Sequence, residues 1–423
     1  MAPSGNLYHP EAQAMPRDEL RAHQDQLLAA FVQRIFDQPI PFFRRKLESA
    51  GIARGDIRVV DDLHRVPLTT KEELRAAERE HPPFGDFRGA PADKQIRLGT
   101  SGGTTGVPTT VLWTANDIEI DVETGCRMMW RMGMRGGVVA THCHPLGIYG
   151  GGGFNTQILE RLGCLTVATN MPDTDEQIQK ILDIWVKVKP QIYQLFPNVA
   201  AKMFEEARKR GIDPASINLR PPNENPKFQH LSGSAGIECM PYLATACQNF
   251  DGAHVCDDHA IVQAVDPATG RDVSDGERGH LVVTTITKDN GLLRYDMEDL
   301  VRVDHSLCSC GETSMRMWWD GRIKDITKVD GRDVLPLDVW GELYAYPELF
   351  DPAIEYQIVR DGDSSRLRLR LEAATAESGD GTALTTRIEQ GMRSALGVRV
   401  KVELLPRGAL PRPAFKPERV VDE

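Results

Sequence analysis

The chain has 423 residues, a length that exceeds what one hydrophobic core usually serves and predicts at least two domains. Its 50 basic and 61 acidic residues leave a net charge of −11, with no basic block suited to following a nucleic acid backbone, so nucleic acid is excluded as a partner. No apolar run reaches the roughly 20 residues of a membrane span, and Met1 to Pro10 lacks the pattern of a signal peptide. The expectation is a soluble cytoplasmic protein. Eight scattered cysteines fit reduced thiols or a metal site rather than a disulfide framework.

Leu20, Leu27, Leu28, Phe31 and Ile35 recur at helical spacing after Pro16, with Asp18 and Glu19 in the first turn, predicting a packed N-terminal helix. A Gly/Ser/Thr loop follows in Thr100 Ser101 Gly102 Gly103 Thr104 Thr105 Gly106 Val107 Pro108. Its glycines let backbone N–H groups approach phosphate closely, and its hydroxyls add donors. No Gly-Lys-Ser/Thr enters a helix here. Instead Thr109 to Trp113 is β-branched and apolar, which predicts a strand–loop–strand phosphate clamp.

Short apolar runs at Gly137 to Ala140, Cys164 to Ala168, Gln191 to Phe196 and His280 to Thr285 predict strands, separated by helical stretches such as Thr174 to Val188. The fold class is therefore α/β. Beyond Gly321 the texture changes to strands at Ile354 to Val359, Arg366 to Leu371 and Val398 to Leu404, with a helix near Leu384 to Leu396. The Arg–Leu alternation of Arg366 to Leu371 predicts a half-buried strand. The division expected is a large domain over residues 1–322 and a small α+β domain over 323–423.

Cys247 and His254, with six residues between them, and the pair Cys308 and Cys310 ending in Gly311 supply three thiolates and an imidazole, the donor set of a closed structural zinc site. Cys256 is an alternative to His254. His142 Cys143 His144 Pro145 Leu146 Gly147 Ile148 Tyr149 Gly150 Gly151 Gly152 Gly153 Phe154 combines aromatic and small residues, and Tyr149 and Phe154 are suited to sandwich an aryl ring.

With the loop, the tail and a lysine near the C-terminus in view, the sequence resembles the adenylate-forming enzymes and, among them, the phenylacetate-CoA ligases. Tyr8 His9 Pro10 Glu11, Pro16 to Leu20, Val66 Pro67 Leu68 Thr69 Thr70 Lys71 and Cys308 Ser309 Cys310 Gly311 carry that resemblance, which covers nearly the whole chain. It implies a large adenylation domain of mixed sheets and helices, a small mobile C-terminal domain, and conversion of an aromatic or arylacetic acid to its acyl-adenylate and then its CoA thioester. ATP, Mg2+ and CoA are the implied cofactors, and a homodimer the implied assembly. Thr100 to Gly106, Ser234, Ala235 and Gly236 would contact the nucleotide; Glu238 would hold magnesium; Asp299 and Arg322 would meet the ribose and nucleotide. Lys324 would be the hinge pivot, Lys416 the catalytic lysine, and His144, Tyr149, Gly151 and Phe154 the acid pocket. Glu298 and Phe415 stand where the superfamily has glycine, and Thr109 where a basic residue is frequent. These departures leave open transfer to a carrier protein or amine, or a degenerate paralogue that only binds.

Overall fold

The computed structural model describes residues 7–423 apart from 39, 101–108, 173, 196, 214–235, 350–353, 374–380 and 412–417. The chain divides into two compact units, Met1–Met297 with Val301–Trp319, and Glu298–Leu300 with Asp320–Glu423.

In the first unit the helix Arg17–Asp37 buries Leu20, Leu28, Phe31, Val32 and Ile35 along one face, as the spacing predicts. The strands β1 (Arg97–Thr100) and β2 (Thr110–Trp113) pair antiparallel, Thr100 opposite Thr110, and bracket the Gly/Ser/Thr segment in sequence. That arrangement matches the strand–loop–strand expectation at both flanks; residues 101–108 themselves lie outside the described residues.

A parallel sheet follows, β3 (Val139–His142) lying between β4 (Leu165–Ala168) and β5 (Ile192–Gln194). The crossover helices are Gly151–Arg161 and Asp175–Val188, the second capped by the Thr174 hydroxyl, which accepts the N–H of Gln177. Gly137 precedes β3 with φ near +85°, so the strand starts two residues later than the apolar run suggests.

Seven strands form the remaining sheet: β6 (Ala244–Ala246), β7 (Ala253–Val255), β8 (Ala260–Asp266), β9 (Arg271–Asp272), β10 (Gly279–Thr285), β11 (Tyr295–Asp304) and β12 (Arg316–Arg322), in the order β6-β7-β12-β11-β10-β8-β9. Its apolar face packs on the N-terminal helices through Phe31, Ile35, Phe43, Leu63, Ile261, Val283 and Tyr295.

The second unit holds a hairpin, β13 (Thr327–Val329) with β14 (Arg332–Val334), and a four-stranded sheet of β15 (Tyr356–Arg360), β16 (Leu367–Glu372), β17 (Val400–Leu405) and β18 (Val420–Asp422), ordered β17-β16-β15-β18. Leu367, Leu369 and Leu371 are buried, each stabilising the unit by about 1.5–3 kcal/mol, while Arg368 and Arg370 on the other face pair with Asp361, Glu403 and Glu423. The helix Gly381–Leu396 covers the sheet with Leu384, Ile388 and Met392.

Candidate active site and metal centre

Thr69 anchors the segment that leads to Glu238. Buried, it donates its hydroxyl proton to the Leu293 carbonyl at 2.7 Å and its N–H to the Arg294 carbonyl, and it bridges to Tyr295 at the start of β11. Thr70 then caps the helix Lys71–Glu80 in a reciprocal box with Glu73, a motif contributing about 1 kcal/mol. The cap fixes the first helical residue, Lys71, whose Nζ lies 3.1 Å from Glu238 Oε1. The Tyr295 hydroxyl donates to the same oxygen at 3.4 Å. Glu238 thus has one carboxylate oxygen engaged by a cation and a phenol. The other oxygen lies over Gly236, where a Cβ would come within 2.6 Å of it.

The same corner receives two further segments. A Cβ on Gly150 would meet Ile237 Cδ1 at 2.6 Å and the Trp113 ring at 3.3 Å, so Gly150 packs directly against these two side chains. Thr100, the last residue of β1, donates its N–H to the Ile148 carbonyl at 3.0 Å. The β1–β2 hairpin, the 142–154 segment and Gly236–Glu238 therefore converge.

On β11, Asp299 is 8% exposed and its Oδ1 is 3.6 Å from Arg322 Nε, an ion pair joining two residues expected at the nucleotide. The residue before it, Glu298, has φ near +59°. That left-handed backbone explains why glycine suits the position, and a glutamate there costs roughly 1 kcal/mol. The substitution is accommodated without losing the turn. Lys324 is exposed in a short turn, Ile323–Asp325, and its carbonyl accepts a hydrogen bond from Arg360 at 2.6 Å.

At the C-terminal end of β3, His142 is fully buried and its Nε2 lies 3.1 Å from the Thr156 hydroxyl. Burial pulls the pKa of His142 down to about 4, and burial with the neighbouring His142 does the same for His144, so both rings are neutral at physiological pH. The rings stand 5.9 Å apart. Tyr149 is 48% exposed and Gly151 opens the helix that follows. Phe154 departs from the sandwich expectation: it is fully buried, edge-on to Trp113 at 5.5 Å and with the Arg97 guanidinium 4.9 Å over its ring. Its neighbours take the surfaces an aryl substrate would use, so it supports the wall rather than forming a platform.

The cysteines meet as the spacings predict. The donor atoms of Cys247, His254, Cys308 and Cys310 all lie within 4.8 Å of one another. Cys247 and Cys308 sulfurs are 3.8 Å apart, the edge of a tetrahedron with metal–sulfur bonds of about 2.3 Å. Backbone N–H groups of Asn249 and Glu312 donate to the Cys247 and Cys310 sulfurs, each at 3.4 Å. His254 turns Nδ1 to the Ser314 hydroxyl at 3.1 Å, leaving Nε2, 3.3 Å from Cys310 Sγ, as the nitrogen that faces the cysteines. The hydrogen bond from Cys310 holds the Cys247 thiol far below its ordinary range, and Cys247 in turn drives Cys310 upward. Two sulfurs this close cannot both ionise without a cation between them. Cys256 is not the alternative ligand: its sulfur donates to the Tyr242 carbonyl and burial pushes its thiol up to about 12.

Ser101, Gly102, Gly103, Thr104, Thr105, Gly106, Ser234, Ala235 and Lys416 lie outside the described residues. Two side chains to which the motifs give no role, Lys71 and Gln194, lie beside these residues, Lys71 against Glu238 and Gln194 opposite His142. The Val66 to Lys71 stretch is a signal for the first; the second needs the sheet register.

The AMP-binding enzyme C-terminal domain family matches residues 331–423. The phenylacetate-coenzyme A ligase of Thermus thermophilus is 32% identical over 454 residues, covering 98% of this chain and 99% of its own length. The chain belongs to the phenylacetate-CoA ligase family. The Escherichia coli phenylacetate-coenzyme A ligase is 28% identical, with 96% of this chain and 95% of that protein covered. In fold the chain is similar to 2-hydroxyisobutyryl-CoA ligase in its postadenylation state, with a TM-score of 0.86, 24% identity and coverage of 100% of this chain and 94% of that one. As a member of the phenylacetate-CoA ligase family it is an AMP-forming acid–CoA ligase, which adenylates a carboxylic acid with ATP and passes the acyl group to CoA.

Proposed function

We propose that the acid activated is aromatic or arylacetic, that the cleft around Glu238 is where it meets ATP, and that the small C-terminal unit is the mobile domain bringing Lys416 to it. The observation that carries this reading is the convergence of the β1–β2 hairpin, the 142–154 segment and the Lys71–Glu238–Tyr295 group on one corner. A carboxylate oxygen of the acid attacks the α-phosphorus of ATP, an O–P bond forms, and pyrophosphate leaves with the electrons of the broken P–O bond. The CoA thiolate then attacks the acyl carbonyl and AMP departs.

The chain's own residues bind and orient. Lys416 places positive charge where the phosphoryl group gains negative charge. Asp299 accepts hydrogen bonds from ribose hydroxyls and is itself held by Arg322. Thr100 to Gly106 with Ser234, Ala235 and Gly236 cradle the nucleotide. Glu238, oriented by Lys71, would hold Mg2+, which when bound screens the phosphate charge. His144, Tyr149 and Gly151 border the acid, and Lys324 is the pivot of the later rotation that admits CoA.

The Cys247, His254, Cys308 and Cys310 set fits Zn2+, with four protein ligands and no open position, so its part is to tie strands together. A cytoplasmic setting and a homodimer belong to the same reading and rest on the resemblance alone.

Pyrophosphate exchange with benzoic, hydroxybenzoic, aminobenzoic and arylacetic acids, with and without CoA, tests the reading. Exchange with an aryl acid and thioester in the CoA arm is expected. Exchange only with aliphatic acids would refute the substrate class.

A further inference from the structure

His142 and Gln194 are register partners on the parallel neighbours β3 and β5, so their side chains leave the same face of the sheet at its C-terminal end. Ligands of parallel α/β sheets bind beyond such ends. The proton on His142 can be assigned. The Thr156 hydroxyl spends its single proton on the Gly152 carbonyl at 3.0 Å, so toward His142 Nε2, 3.1 Å away, it can only accept. Nε2 therefore carries the hydrogen, and Nδ1 presents a lone pair.

Gln194 offers the same chemistry. Its Nε2 lies 2.7 Å from Met129 Sδ and 3.7 Å from Met132 Sδ. Thioethers are weak acceptors, and the reversed amide would set a carbonyl oxygen against two sulfur lone pairs, so the oxygen points away from them. Among the described residues neither His142 Nδ1 nor Gln194 Oε1 has a hydrogen-bond partner, and both atoms are buried. A buried acceptor left unmet costs about 1–3 kcal/mol, and two on one face ask for a donor.

We infer that the substrate acid carries a hydrogen-bond donor, a hydroxyl or primary amino group, which His142 Nδ1 accepts with Gln194 Oε1 beside it. The inference rests on the reading that the 142–154 segment borders the acid. Burial keeps the ring in the neutral form that the assignment requires. Because a site built to hydrogen-bond a substrate group rejects analogues lacking it, the pair sets specificity by exclusion as much as by attraction.

The test compares kcat/KM for pyrophosphate exchange with aryl acids matched in shape: hydroxyl, amino, methyl and methoxy derivatives. Hydroxyl or amino acids should exceed their methyl and methoxy counterparts by about 100-fold or more. In Gln194→Met and His142→Leu that ratio should fall at least about tenfold, the loss of one hydrogen bond. Gln194→Met preserves side-chain length at a half-buried position, so it carries the test if His142→Leu does not fold. Methyl analogues used within about threefold of the donors by the wild-type enzyme would overturn the inference while leaving the ligase reading intact. A ratio that persists in both variants would overturn it as well. Silence with every acid, from folded and zinc-replete protein, would instead defeat the reading of the pocket and this inference with it.

Discussion

The cysteine–histidine cluster and the cleft around Glu238 are both assembled from residues far apart in the chain, yet they solve opposite electrostatic problems. Cys247, His254, Cys308 and Cys310 bring together three sulfurs and an imidazole nitrogen, a donor set that a cation would hold together. In the cleft, Lys71 and Glu238 bring opposite charges together and already satisfy each other. The first arrangement suits an ion held permanently and belongs to stability. The second suits groups that exchange partners when a charged substrate arrives, and belongs to rate.

The sharpest way to break that division is Lys416→Ala. It should lower adenylation by about 10²–10³-fold while leaving zinc content, melting temperature and ATP binding unchanged; equal loss of ATP binding, measured by calorimetry, would remove the role assigned to the lysine. Cys310→Ser should do the reverse. Metal analysis should show less than one zinc per chain, and the loss of a ligand should destabilise the protein by on the order of 3 kcal/mol, with turnover per folded molecule retained. Lys71→Met sharpens the cleft side: without its charge-assisted bond to Glu238 Oε1, adenylation should fall roughly tenfold with zinc intact.

How much of this is legible in the sequence depends on the distance over which each signal acts. The strands at 139–142, 165–168 and 367–372 and the helix Asp175–Val188 follow from local periodicity. The metal cluster follows from two short spacings, each of which survives folding as a local turn. The Lys71–Glu238 contact spans 167 positions and depends on Thr69 locking onto β11, which no local pattern encodes. The assignment of the His142 proton depends on how the Thr156 hydroxyl is used, a fact of packing. Aromatics among glycines suggest an open pocket with Phe154 as a platform, whereas Trp113 and Arg97 cover that ring. Glu298 stands in a glycine position, and that its backbone is left-handed, the reason glycine suits the place, is visible only in the structure.

Near the cluster, Asp257 gives a pH test. Burial pushes its carboxyl up to about 8, with the Met315 N–H opposing at 2.8 Å. The unfolded chain ionises near 3.9, so the folded state holds a proton that the unfolded state releases. The resulting stability is complete below about pH 4 and is lost as pH rises through about 8. Asp257→Asn should flatten the decline in melting temperature between those limits, and an unchanged slope would assign the decline elsewhere. Smallest of all, Glu298→Gly should alter stability by no more than about 1 kcal/mol, because relief of the left-handed strain offsets the added freedom of the unfolded chain. Urea titration would read it.

The central claim is that one active site makes an acyl-adenylate and hands it to CoA. The most direct measurement incubates the folded, zinc-replete protein with ATP, Mg2+, CoA and a hydroxy- or amino-substituted aryl acid, and quantifies AMP and acyl-CoA together. Equal amounts of AMP and aryl-CoA, with pyrophosphate in step, are predicted. Adenylate accumulating without thioester, or no AMP from any aryl acid, would contradict the account.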